Sequence, residues 1–444
     1  MAKKVTESLT KIMTEAELNK EFIPKLKSVV YELVVVLEEL LKLRKYPKRE
    51  MVFSIMKEVD EIETFLDDYG ATHNKKFSYF RVLIASIRWL NIVTFQGLHI
   101  LARVESYRLG LTEKERQLFI EKLHKTVNRC LADLKVLSKE LKAELATIGI
   151  RKPRARFTEK KNFAEIQKKI LPPDIDGTAA KATNEAIIDI LVKFLENSEL
   201  FNSFFCRDDS GGEYTEEVWE RYRSTFNRLE SLYDTYLRST EIEEKYPDLR
   251  GVRSSIAVTL HLLEMGKALA HFQERHRETL LTVKPELRAR NFANKSEIKK
   301  TMKDFIISYS ISFLAVGKSL SEKIFREMGK EAGEYIYTTK MLNVQSHRLE
   351  DFHIRPIMPV TRIAGKYKLD TYLYQNRNKY NLKSALEMAI AIPDIRNDLE
   401  KGNIEMMLQG PRKAVEEIAV FFHERCGAIE KEIVCNVAFS PKEI

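Results

Sequence analysis

The sequence contains little glycine, little proline, few cysteines and no long apolar run. Its 16 glycines and 12 prolines among 444 residues lie below average usage, which argues against a mostly β or disordered chain. The four cysteines show no CxxC spacing and therefore predict neither a zinc site nor a disulfide framework. They are Cys130, Cys206, Cys426 and Cys435. The longest uncharged run, 305–317, is too short to span a bilayer and predicts a buried helix.

The length and net charge of the chain limit its domain number and its possible partners. A chain of 444 residues is too long for one ordinary core, so two or three domains are expected. The N-terminus lacks an apolar stretch of signal-peptide length, and together with the cysteine usage this predicts a cytoplasmic protein. A net charge of +9 permits acidic partners without requiring one. The densest basic cluster, residues 150–161, is interpreted as a solvated linker, with nucleic-acid binding as the weaker alternative.

Helical periodicity dominates the first three quarters of the chain. Apolar residues recur at i, i+3, i+4 and i+7, which predicts an all-α bundle over residues 1–149 and a second bundle over 181–335. Thr112, three residues before Glu115, is the predicted N-cap of a helix over 112–147. Residues 150–180 combine a basic run with prolines and are the predicted linker between the bundles.

The two bundles also resemble each other in sequence. A shift of 169 residues aligns 79–111 with 248–280 and gives seven identities in 33 positions, including Gly97 with Gly266. The matching order of helices around this alignment supports the hypothesis that the bundles are duplicated.

No catalytic or metal-binding pattern emerges from the helical region. His99, His261, His271 and His276 follow helical patterns and are interpreted as structural or exposed. A metal site in a bundle favours Glu-x-x-His on two helices, and the order of His261, Glu264, His271 and Glu274 does not supply it. Neither a cofactor nor a metal is therefore expected.

The pattern changes from about residue 340 onward. Residues 340–348, 370–376, the segment beginning at 377 and residues 403–410 are predicted strands. Helices are expected between and after them, near 354–367, 384–392 and 411–425. The order β-α-β-β-α-β-α predicts an antiparallel sheet with helices on one face, an α+β open-faced sandwich over 340–427 that is followed by a tail over 428–444.

This C-terminal part resembles HPr, the histidine-containing phosphocarrier of the bacterial phosphotransferase system. His353, Arg355 and Pro356 match the family's His-x-Arg-Pro, between a predicted strand and a predicted helix. Lys383 and Ser384 match the Lys-Ser that opens its second helix. The resemblance covers about a fifth of the chain and implies an HPr-like fold.

The resemblance implies that His353 accepts a phosphoryl group and that Arg355 stabilises the phosphate. The residues agree with this chemistry, because a neutral imidazole is nucleophilic near pH 7 and a helix N-terminus stabilises an anion. The implied partners are an enzyme I-like donor, an enzyme IIA-like or regulatory acceptor and, for a regulatory phosphosite at Ser384, an HPr kinase. For Ser384 a plain N-cap remains the alternative.

Three features depart from the family's pattern. Asp351 puts a negative charge next to the expected phosphate site, which favours a raised imidazole pKa. Pro359 falls about six residues into the expected helix, where it removes a backbone hydrogen bond to Arg355. The segment after Ser384 is longer than in the family, as if about six residues were inserted.

Two functions from different classes follow. The first is an HPr-family phosphocarrier or phosphorylation-dependent regulator that works through His353, and it is a carrier more than a stand-alone enzyme. The second is a non-catalytic scaffold with a degenerate HPr-like docking domain, in which the helical bundles provide oligomerisation. Phosphorylation of His353 distinguishes the two.

Overall fold

The computed structural model describes residues 12–150, 184–207, 214–238, 240–352, 354–367, 369–375 and 378–430. The predicted linker after residue 150, the polar loop at 208–213 and the tail after residue 430 lie outside these ranges. No helix in the described ranges is long and apolar enough to cross a membrane.

Helices form the region before residue 330. The first group is α1 (Glu15–Glu17), α2 (Ile23–Val29), α3 (Tyr31–Lys42), α4 (Arg49–Asp68), α5 (Ser78–Arg103) and α6 (Glu113–Thr147). The second group is α7 (Asn184–Arg207), α8 (Glu216–Tyr236), α9 (Glu241–Lys245), α10 (Leu249–His271), α11 (Arg277–Val283), α12 (Lys295–Thr301) and α13 (Ser308–Glu327). A π-helical turn joins α10 to α11, and another joins α12 to α13.

The start of α6 follows directly from local chemistry. Thr112 accepts a hydrogen bond from the backbone N–H of Glu115, and the Glu115 carboxylate accepts one from the backbone N–H of Thr112 at 2.8 Å. This capping box satisfies two N–H groups that lack helical partners. The helix predicted over 112–147 is confirmed.

The two helical groups repeat one pattern of neighbours. In the first, α5 packs between α4 and α6, and α3 contacts both α4 and α6. In the second, α10 packs between α8 and α13, and α7 contacts both α8 and α13. This pattern is expected for duplicated four-helix units. A common origin of the two helical groups stays a prediction.

One hydrophobic core joins the two helical groups. Its buried side chains extend from Phe22 to Ile336, and α5 packs directly on α10. Gly97 on α5 and Gly266 on α10 make close helix packing possible, because a Cβ atom would lie 2.4 Å from Val127 Cγ2 and 2.3 Å from Trp219 Cζ3, respectively.

A five-stranded sheet and three helices form the C-terminal part. The strands are β1 (Tyr337–Val344), β2 (Tyr372–Gln375), β3 (Asn378–Asn381), β4 (Ile404–Pro411) and β5 (Ile429–Glu430), and the helices are α14 (Ile354–Gly365), α15 (Ala385–Leu399) and α16 (Arg412–Cys426). All strand pairs are antiparallel, in the order β3-β2-β4-β1-β5.

The three helices cover one face of this sheet. Alternate strand residues such as Leu342, Leu373 and Leu408 are buried against the helices in a core separate from that of the helical region. Tyr372 and Tyr374 lie on the opposite, partly exposed face, as the period of two predicts. The α+β arrangement and the order β-α-β-β-α-β-α are those predicted from the sequence.

Two boundaries differ from the prediction, and one strand is additional. β1 spans 337–344 rather than 340–348, because residues 346–351 form a 3-10 segment. α15 continues through Pro393 to Leu399 rather than ending near residue 392. Residues 429–430 add a fifth strand beside β1, which the sequence pattern did not reveal.

Arg412 lies where the C-terminal part contacts the helical region. Its guanidinium forms ion pairs with Glu199 on α7 and with Glu322 on α13, the latter at 3.3 Å. Its backbone N–H donates to the carbonyl oxygen of Ile336 at 2.8 Å. Because two separate helices supply the carboxylates, this one side chain fixes the start of α16 on the helical region.

Candidate functional site

The candidate phosphate site is the start of α14. The helix begins at Ile354, immediately after His353, so the predicted order of strand, histidine and helix is confirmed in its described parts. His353 itself lies outside the described residues. Arg355 is in the first turn of α14, and its side chain lies outside the description. The N–H groups of a first helical turn have no partners within the helix, which makes this end suitable for an anion.

Pro359 does not end the helix. α14 continues past it to Gly365, and Pro359 is exposed. The backbone bond that proline removes would have used the carbonyl of Arg355, on the same face of the helix four residues earlier. At an exposed position water can satisfy that carbonyl. The helix start required for the candidate site is therefore compatible with this proline.

Phe352 anchors the chain just before the candidate site. Its side chain is fully buried and stacks on Phe422 of α16, with ring centroids 6.1 Å apart. Its carbonyl oxygen accepts a hydrogen bond from Arg396 Nη1 at 3.3 Å. Phe352 is therefore held from two sides, by α16 through its ring and by α15 through its carbonyl.

Asp351, next to the candidate site, has an ion-pair partner. Its carboxylate forms an ion pair with Arg348 Nε at 2.6 Å. Arg348 also donates from Nη2 to the carbonyl oxygen of Arg425 at 3.3 Å, near the end of α16. Gly427 has a φ of +60°, and a Cβ atom there would lie 2.9 Å from Arg348 Nε. Arg348 therefore partly offsets the negative charge that Asp351 places next to the candidate site.

Cys426 lies at the same end of the C-terminal part but is fully buried. Burial raises the pKa of its thiol to about 12, with a smaller contribution from Asp351. A thiol with this pKa is protonated near pH 7 and is a weak nucleophile. Cys426 therefore belongs to the packing of this end rather than to its chemistry.

Ser384 caps the start of α15, as predicted. Its Oγ accepts a hydrogen bond from the backbone N–H of Glu387 at 3.2 Å. Arg396 lies in the last turn of the same helix, twelve residues further on, or about 18 Å along the axis. Since Arg396 contacts Phe352, the structure places Ser384 and the start of α14 at opposite ends of α15.

Arg348 and Arg396 are functional candidates that the sequence analysis missed. Arg396 belongs to the segment interpreted as an insertion, and Arg348 to a segment interpreted as strand. Neither has a spacing that points to position 353. Arg348 reaches Asp351 locally, three residues further along the chain, whereas only the packing of α15 beside the start of α14 brings the Arg396 guanidinium to the candidate site.

An exposed apolar stripe runs along α15. Leu386 is 74% exposed and Ile390, one turn later, is 53% exposed. Met358 on the neighbouring helix α14 is 39% exposed. Large apolar side chains exposed on successive turns of one helix form a candidate contact surface.

Four histidines of the helical region form two pairs, one between α5 and α10 and one at the end of α10. His99 and His261 have ring centroids 4.4 Å apart, and His271 Nε2 lies 3.1 Å from His276 Nε2. Burial lowers the pKa of His276 to about 3 and also lowers that of His271. Within the described residues, no group of three or more His, Cys, Asp and Glu side chains could hold a metal ion.

His347 and His423, which the sequence pattern gives no special role, are exposed.

The chain was compared with models of protein families, with curated proteins and with solved structures, and none of these comparisons found a match.

Proposed function

We propose that the C-terminal part is an HPr-like phosphoryl carrier or phosphorylation-dependent regulator, with His353 as the phosphoryl acceptor. The observation that supports this most is that α14 begins immediately after His353, while Arg396 holds the carbonyl of the preceding residue. A nucleophile fixed at a helix N-terminus is favourably placed to receive an anionic group.

The proposed reaction is the transfer of a phosphoryl group between two histidines. The unprotonated imidazole nitrogen of His353 attacks the phosphorus atom, a new N–P bond forms, and the N–P bond to the donor histidine breaks. The donor imidazole keeps the released electron pair, and the other nitrogen of His353 keeps its proton. Arg355 and the first N–H groups of α14 stabilise the phosphate oxygens.

The apolar stripe on α15 gives this proposal a docking surface. Leu386 and Ile390 lie on the same helix as Arg396, and Met358 lies on α14 itself. A partner that covers this stripe would bring its own histidine to the start of α14. In this proposal the partners are a cytoplasmic enzyme I-like donor and an enzyme IIA-like or regulatory acceptor.

Ser384 is the proposed regulatory phosphosite. A phosphate on an N-cap serine lies at the positive end of a helix, where it is tolerated. Because Ser384 is at the far end of α15 from Arg396, phosphorylation there would act on partner docking rather than directly on His353.

The test is phosphorylation from phosphoenolpyruvate through an active enzyme I. We expect acid-labile phosphate on the wild-type chain and none on His353→Ala. His347→Ala is the matched control, since His347 is an exposed histidine six residues earlier. Absence of label on the wild type, with enzyme I shown to be active on its own carrier, would refute the carrier function.

The second candidate is a scaffold whose C-terminal part only docks partners. The ion pairs of Arg412 favour it, because they hold the C-terminal part on the helical region, whereas a diffusing carrier needs no such attachment. In that case the apolar stripe would still bind a partner, Leu386→Asp would abolish binding, and His353→Ala would leave binding unchanged.

A further inference from the structure

A basic groove lies in the helical region, between the end of α3 and the middle of α6. In sequence it is far from the C-terminal part. The groove is open to solvent on one side and has a volume of about 500 Å³, within the range of small-molecule sites. Its ten lining residues include three cations, Arg44, Lys45 and Lys135, and no carboxylate. We propose that this groove binds a small organic phosphate.

The positive charge of the groove is largely uncompensated. Within the described residues, no ion pair involves Arg44 or Lys45, and both side chains are exposed. Lys135 is different, because its Nζ donates to the carbonyl oxygen of Leu43 at 2.6 Å. That bond caps the end of α3 and fixes one ammonium group at the wall of the groove. Two free cations and one fixed cation suit a dianion.

The wall that carries Arg44 and Lys45 is itself held in place. Tyr46 follows them, and its hydroxyl lies 2.8 Å from His124 Nδ1 on α6. The two rings stack with planes only 5° apart. Pro47 is buried directly after Tyr46. The short loop therefore presents its two cations from a fixed backbone, which lowers the entropic cost of binding.

The chemistry of the lining selects the kind of anion. Arg44 offers a guanidinium fork that matches phosphate oxygens, and a phosphate monoester carries nearly two negative charges at pH 7. Leu43, which is partly exposed, and the edges of the buried Leu40 and Leu131 supply an apolar wall that inorganic phosphate alone would leave unused. An organic phosphate has both parts, a charged group for the cations and a carbon body for the leucines.

A second concave surface continues the groove along α6. It shares Asn128 and Ala132 with the first, and it adds Lys125 and Arg129 together with the carboxylate of Glu121. Arg129 is neutralised by Glu297 of α12, with Nη1 and Oε2 3.1 Å apart. The free positive charge is therefore concentrated at the α3 end of the groove, which favours a compact ligand over an extended polymer.

The experiment measures binding of AMP, glucose 6-phosphate and phenyl phosphate to the full chain by calorimetry at low salt. We expect at least one of them to bind with a sub-millimolar Kd and its unphosphorylated counterpart not to bind. Inorganic phosphate should bind at least about tenfold more weakly, since it lacks a body for the apolar wall.

The variant Arg44→Ala/Lys45→Ala should weaken binding at least about tenfold, as expected for the loss of charge-assisted hydrogen bonds. The matched control Lys75→Ala/Lys114→Ala removes the same charge from exposed lysines elsewhere and should bind like the wild type. Circular dichroism of both variants verifies folding.

The proposal is overturned if none of the three phosphates binds at millimolar concentration, or if the two variants bind equally. It is also overturned if a single-stranded RNA 12-mer binds more tightly than all three phosphates and loses binding in Arg44→Ala/Lys45→Ala. That result would make the groove a nucleic-acid surface. The outcome is independent of the His353 proposal, because no residue of the groove belongs to the C-terminal part.

Discussion

Arg396 donates a hydrogen bond from Nη1 to the carbonyl oxygen of Phe352 at 3.3 Å, and so joins the last turn of α15 to the residue before His353. This contact ties a helix that carries an exposed apolar stripe to the start of α14. A partner that docks on α15 would therefore contact the same helix that holds Phe352, the residue before the candidate phosphoryl acceptor.

Replacing Arg396 should slow phosphoryl transfer. We expect Arg396→Ala to lower the rate of His353 labelling about tenfold, because a hydrogen bond to a charged group contributes about 1.5–3 kcal/mol. Lys401→Ala is the control, since Lys401 is exposed and pairs only locally with Asp398 in the described part of the chain. An unchanged rate in Arg396→Ala would remove Arg396 from the site, whereas no labelling of the wild type would refute the carrier function itself.

Replacing Arg412 should loosen the C-terminal part from the helical region. Arg412→Ala leaves Glu199 and Glu322 without this partner, and we expect the unfolding free energy to fall by about 2–4 kcal/mol. Urea unfolding followed by circular dichroism should then show an early transition of the C-terminal part.

The neighbouring residue provides the control for Arg412. Lys413 pairs with Glu331 at a more exposed position, so Lys413→Ala should cost at most about 1 kcal/mol. Equal effects of the two substitutions would show that the Arg412 ion pairs do not hold the parts together.

Adding one methyl group at Gly266 should destabilise the helical core. The new Cβ atom would lie 2.3 Å from Trp219 Cζ3, so α8 and α10 would have to separate. We expect Gly266→Ala to lower the urea midpoint by an amount equivalent to about 1–3 kcal/mol. Gly365→Ala is the control, because no atom lies within 4 Å of its added Cβ and alanine favours a helix. A neutral Gly266→Ala would contradict this packing.

Stability should fall with acidification because histidines are buried between α5 and α10. Burial lowers the pKa of His261 to about 3 and that of His99 to about 4. In the unfolded chain these histidines have a pKa near 6.5, so below that pH the unfolded chain binds more protons than the folded chain. The contribution of these histidines is complete above about pH 6.5 and is lost as the pH falls toward 4.

The measurement is the urea midpoint at several pH values between 7.5 and 4.5. Each such histidine contributes a slope of at most about 1.4 kcal/mol per pH unit. His261→Gln should reduce the slope, and His347→Gln, at an exposed position, should not. An identical slope in His261→Gln and the wild type would show that acid stability depends on other groups.

Much of the fold could be predicted from the sequence because it depends on local patterns. The helical period and the capping box at Thr112 determined α6, and the N-cap at Ser384 determined the start of α15. The end of α15 could not be predicted, because Pro393 is normally a reason to stop a helix. Burial of Ile395 and Leu399 in the C-terminal core overrides that preference.

The sequence alone determined the order of elements, the α+β character of the C-terminal part and the position of His353 before a helix, because these depend on residue types a few positions apart. Tertiary structure decided which distant side chains meet there. Arg396, 44 residues after Phe352, donates a hydrogen bond to the carbonyl oxygen of Phe352. It also decided that both helical groups share one core, and that Arg44, Lys45 and Lys135 line one groove. Such contacts depend on how whole helices pack, and no short-range pattern encodes that packing.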